Sequence, residues 1–74
     1  MIHFVLEQVT GGHYDVLAEG QIVGHIMLSN AAPVATPWIW TLAYGFHDYR
    51  KRTRGYAATR DAALQAISES WQRE

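Results

Sequence analysis

Two short turns, Gly11-Gly12 and Glu19-Gly20, stand on either side of residues 13–18, and they constrain the fold more than anything else in the chain. Paired glycines, and a Glu-Gly step close to the Asp-Gly hairpin signal, supply the positive φ angles that tight turns use. Segments joined by connections this short must lie side by side and run in opposite directions. The segments themselves read as strands. Ile2, Phe4 and Leu6 alternate with His3, Val5 and Glu7, which is the period-two pattern of a strand. Residues 14–18 read as a second strand and residues 21–28, rich in β-branched and aliphatic side chains, as a third.

Residues 29–37 break the pattern, because Asn30 favours a turn and Pro33 and Pro37 cannot donate to a sheet ladder. Ala31, Ala32, Val34 and Ala35 are apolar, so this loop is expected to pack down. Residues 38–44 read as a fourth strand, with Trp38, Trp40, Leu42 and Tyr44 on one face and Ile39, Thr41 and Ala43 on the other; Gly45 ends it. A polar, basic loop is expected over residues 46–55. Thr59 is then a suitable helix N-cap, with Asp61 in the first turn where the helix dipole favours negative charge. Over residues 60–73, Ala63, Leu64, Ile67 and Trp71 form one helical stripe. The fold class is therefore α+β, in a single domain over residues 1–74. An antiparallel meander of four strands, and of at least three, packs against one C-terminal α-helix. Whether the first two strands pair with the fourth is left open.

Length sharpens the problem this fold poses. A chain of 74 residues buries only about 60% of the surface its unfolded form exposes. It has no cysteine, which excludes disulfides, thiolate metal sites and cysteine nucleophiles together. Packing and self-association remain. Hydrophobic residues make up 49% and charged residues 18% of the chain, a globular and not a disordered balance. Apolar runs such as Ile26-Met27-Leu28 are too short to span a bilayer. The start, Met1-Ile2-His3-Phe4, lacks the basic and long apolar segments of a secretory signal, so a cytoplasmic protein is expected. Net charge is −1, which gives no global pull toward nucleic acid. All six basic residues nevertheless lie after residue 46, four of them between Arg50 and Arg54.

A single helix covers one face of a sheet, and the other face of a half-exposed antiparallel sheet is ordinarily polar. Here it would carry residues from the set Val5, Leu17, Val23, Met27 and Ile39. An apolar surface of that kind marks an interaction site unless the loop over residues 31–35 folds across it. Homodimerisation through the sheet face or an edge strand is the expectation.

Four further groups of residues carry side chains capable of chemistry. His47-Asp48-Tyr49-Arg50-Lys51-Arg52-Thr53-Arg54-Gly55-Tyr56 interleaves cations with aromatics ahead of a helix N-terminus. Arginines can hold phosphates and tyrosines can stack on bases, so Tyr49, Arg50, Lys51, Arg52 and Arg54 are the candidate nucleic-acid contacts. The acidic first half and low net charge favour instead a solvated loop. Trp38, Trp40 and Trp71 read as core aromatics and not as a stacking platform. His3, His13, His25 and His47 lack the i, i+4 spacing of a helical zinc motif. His3 and His25 could approach across strands, but two histidines without a carboxylate make a poor site, so no metal or other cofactor is expected. Ser29, Ser68 and Ser70 have no evident base, and no catalytic residue is assigned.

The second half of the chain, from Trp38-Ile39-Trp40 through Gly55-Tyr56-Ala57-Ala58-Thr59 to Trp71, resembles a pattern in small bacterial proteins with no assigned activity. There a W-x-W strand, a loop, G-Y-A-x-T and an alanine-rich helix ending in Trp follow one another. The resemblance implies structure and no site residues. The order of sheet then helix is also similar to the amino-terminal DNA-binding domains of some phage-type integrases, but this sheet lacks the Arg and Lys of those readers. Strands followed by an alanine-rich helix likewise resemble HicB-type antitoxins, without the rest of their pattern. The functional expectation is a small non-enzymatic interaction module that self-associates or binds a protein partner, without membrane contact. The alternative is a small regulatory protein that binds nucleic acid through residues 47–56.

Overall fold

The computed structural model describes residues 3–42 and 53–71. Five strands form one antiparallel sheet in the order of the chain: β1 (Phe4–Thr10), β2 (His13–Ala18), β3 (Gln21–Leu28), β4 (Trp38–Leu42) and β5 (Arg54–Ala57). One helix, α1 (Arg60–Ser70), follows. The α+β meander closed by a C-terminal helix is thus as expected, with one strand more. The first two strands do not reach β4, because β3 lies between.

The Glu19-Gly20 turn joins β2 to β3 with positive φ at both central residues, 54° and 79°. That is the geometry of a type I′ hairpin, whose twist matches that of the strands it joins. The Gly11-Gly12 connection departs from the expectation. Neither of its glycines adopts a positive φ, and the turn closes through a Gly12 N–H that donates to the Thr10 carbonyl at 2.9 Å. Register shifts between Gln8 and Thr10 on β1, so the slack is taken up by a bulge at Val9 instead of by the turn.

The core lies on one side of the sheet. Val16, Val23, Ile26 and Ile67 are fully buried, with Trp40, Ala57 and Ala63 around them. Each such large aliphatic side chain contributes about 1.5–3 kcal/mol through burial. Val23 was expected on the opposite face. A second bulge moves it: β2 pairs Val16 with Gly24 but Leu17 with Ile22, so Val23 is the extra residue and turns into the core. The helix lies over β3, β4 and β5. Its N-cap is Thr59, whose hydroxyl accepts from the Ala62 N–H at 3.0 Å, and Asp61 occupies the first turn. Over β1 and β2 the cover is aromatic. Trp71 meets Phe4 edge-to-face at 5.9 Å, and the Arg60 guanidinium sits 5.1 Å above the Tyr14 ring.

Two glycines bring these layers together. A β-carbon on Gly24 would stand 2.6 Å from the Thr41 carbonyl oxygen and 3.2 Å from Ile67 Cδ1. A β-carbon on Gly55 would stand 2.9–3.1 Å from the Trp40 indole. Gly55 also explains β5, where a loop was expected. Residues 54–57 have little strand propensity of their own, but they pair with β4 because the bare backbone at Gly55 lets the Trp40 ring lie across it.

The loop over residues 29–37 does not pack down as a unit. Ala32 is buried, while Val34 is 97% exposed and Ala31, Pro33 and Ala35 are exposed too. Its ends are held by Ser29 N–H donating to the Pro37 carbonyl at 2.9 Å.

Gly24→Ala is expected to lower stability by about 1–3 kcal/mol, since the clash is with backbone that cannot swing aside. Gly11→Ala, with nothing within 4 Å of its β-carbon, should stay within about 0.5 kcal/mol of the parent. Urea unfolding of the two variants provides the comparison, and equal midpoints would mean that the close approach at Gly24 carries no strain.

Candidate functional site: the outer face of the sheet

With the helix on one side, strand alternation sends Val5, Glu7, Asp15, Leu17, His25, Met27, Ile39 and Thr41 to the other. Register arranges them in rows across the strands. The middle row runs Glu7, Asp15, His25, Thr41, Arg54, one residue from each strand. On one side of it lies Val5, Leu17, Ile22. On the other lies His13, Met27, Ile39, Tyr56. The outer face is therefore two mostly apolar stripes flanking an ionisable one. Val5 (58%), Ile22 (42%), Met27 (41%) and Tyr56 (55%) are all exposed, so the loop over residues 31–35 does not cover them.

The middle row is acidic at the β1–β2 end and basic at the β5 end. Glu7 stands opposite Asp15, a like-charge cross-strand pair that is unfavourable by itself. Asp15 is turned toward its other neighbour: His25 Nδ1 lies 2.9 Å from Asp15 Oδ1, at hydrogen-bond distance. His13, two residues before Asp15 on the same face, brings its Nε2 to 3.8 Å from the same oxygen. The His13 and His25 rings are 5.7 Å apart, tilted by 60°. One donor atom from each of the three residues lies within 4.8 Å of the others, all three side chains half-buried. The chemistry gathered at the centre of the face is two imidazoles and a carboxylate.

This grouping was missed in the sequence. His3 precedes β1, which has β2 between it and β3, so it is not the partner of His25. The partner is His13, and the carboxylate thought absent is Asp15. The available signal was His13-x-Asp15 at strand spacing, facing His25 across the Glu19-Gly20 hairpin. Of the expected nucleic-acid contacts, Arg54 lies on β5 at the basic end of the middle row and is exposed. Tyr49, Arg50, Lys51 and Arg52 lie outside the described residues. Trp40 is core, while Trp38 and Trp71 are half-buried against it. Among the described residues, no helix is long and apolar enough to cross a membrane. Comparison of the chain with protein-family models, with curated proteins and with solved structures finds no match to any of them.

A double-mutant cycle on Asp15→Asn and His25→Gln is expected to give a coupling of about 0.2–1 kcal/mol, the range of half-exposed polar pairs. Zero coupling would mean that the 2.9 Å contact contributes nothing to folding.

Proposed function

We propose that this chain is a non-enzymatic interaction module that self-associates by packing the outer face of its sheet against that of a second copy. The observation that carries the reading is the pattern of the face: exposed apolar stripes on both sides of a row whose ends bear opposite charge. Sheets stack face to face about 10 Å apart with their strands nearly aligned. A twofold axis running along the strands reverses the row from one copy to the other. Glu7 of one protomer then opposes Arg54 of its partner, Asp15 faces Thr41, and the two central strands meet near the axis. Each apolar stripe meets its own copy, as an isologous contact requires. The exposed Val5, Ile22, Met27 and Tyr56 side chains thereby leave water, which a domain this small has few other ways to achieve.

Light scattering after size exclusion, over a hundredfold range of concentration, is expected to give twice the chain mass of 8.4 kDa at the upper end. Ile22→Lys and Met27→Lys should each return the protein to a monomer. Both positions are exposed, so the variants' monomer stability should stay within about 0.5 kcal/mol of the parent. Arg54→Glu should weaken the dimer, and adding Glu7→Arg to it should restore much of the loss, because the exchange recreates the charge pairing. A monomer at every concentration would end the proposal.

A further inference from the structure

We propose that His13, Asp15 and His25 form a binding site for a divalent transition-metal ion of the zinc type. The inference rests on the cluster within one chain and does not depend on self-association.

The donor set comes first. Neutral imidazole nitrogens suit zinc, copper, nickel and iron, and a carboxylate completes such sites, whereas magnesium and calcium take oxygen donors almost throughout. Zinc–nitrogen and zinc–oxygen bonds of about 2.0–2.2 Å place neighbouring donors of a tetrahedron about 3.4 Å apart. The observed separations from Asp15 Oδ1 are 2.9 Å to His25 Nδ1 and 3.8 Å to His13 Nε2, which straddle that value. All three donor atoms lie within 4.8 Å of one another, so small side-chain rotations bring them to one centre. Strand geometry favours this. His13 and Asp15 project from the same face two residues apart, and His25 stands directly across from Asp15 in the ladder.

A second observation is independent of the spacing. His13 Nε2 is buried and has no hydrogen-bond partner among the described residues. A buried polar nitrogen left unmatched is unfavourable by about 1–3 kcal/mol, and such atoms call for an explanation. The Asp15–His25 hydrogen bond accounts for those two residues as an ordinary cross-strand pair; it leaves the His13 nitrogen unused. An ion between the three residues uses all of it. The surroundings agree in sign: Glu7 stands opposite Asp15 and adds a second negative charge beside the site. When the ion binds, His25 turns its Nδ1 lone pair to the metal and a neutral imidazole keeps its proton on Nε2. Three protein donors leave at least one coordination position for water or a further ligand.

Titration calorimetry with zinc chloride on the metal-free full chain tests this. The expected result is saturable binding that is lost, or weakened by at least the about 10–100-fold that removal of even a supporting contact produces, in His13→Ala and in His25→Ala. The double variant His3→Ala/His47→Ala should keep the parent's affinity, and magnesium chloride should give no heat of binding. Zinc should also raise the parent's unfolding temperature in a concentration-dependent way, and not that of His25→Ala. All three site residues are only half-buried, so the variants are expected to fold; circular dichroism of each without metal checks it, and for any that does not fold, Asp15→Asn replaces it. Absence of zinc binding by the parent would overturn the site, as would binding that survives both single histidine substitutions or is lost with His3 and His47.

Discussion

Ile67 is fully buried and packs over Gly24, where a side chain would have no room. Its Cδ1 would be 3.2 Å from a β-carbon on Gly24, and the same β-carbon would run into the Thr41 carbonyl of the next strand. The central strand is thus bare at the point where the helix docks and where β4 pairs. Trp40 repeats the arrangement one strand further out, with its indole over Gly55. Large side chains are matched to absent ones, and one helix of eleven residues closes the inner layer.

What the inner layer takes determines what the outer layer is left with. Strand alternation commits Val16, Ile26 and Trp40 to the helix side, and their neighbours in the chain must face the other way. The bulge at Val23 adjusts this by sending one more aliphatic residue inward while Ile22 stays out beside Leu17. The result is an outer face that is neither a second core nor a solvated polar surface. It has apolar stripes that gain by leaving water, separated by a row of charge.

The two proposed uses of that face draw on different parts of it. Association rests on the flanking stripes and on the ends of the middle row; the metal site occupies its centre, at β2 and β3. The half-buried state of His13, Asp15 and His25 places them between two extremes. A fully solvated trio would have to be ordered by the ion, whereas a dry one would resist it.

Several parts of this protein were legible in its residues because the responsible physics is local. The Glu19-Gly20 turn, the alternation at the start of β1, the Thr59 cap and the helical positions of Ala63 and Ile67 each depend on neighbours within a few positions, and each is where the pattern placed it; Trp71, expected on the same helical stripe, is instead the extended residue that ends the helix. Within the chain itself, that was enough to determine the α+β class, the meander and a single helix with one face of the sheet to cover. Tertiary structure decided the rest. Residues 54–57 became a strand only because β4 offered an edge and Trp40 needed Gly55 beneath it. Val23 entered the core because a bulge shifted register by one residue, which no propensity scale registers. His13, Asp15 and His25 became a cluster by the same means, since pairing across a hairpin turns separation along the chain into contact. Register is set by the sum of all the strand pairings at once, and a lateral row of side chains exists only when that sum has been taken.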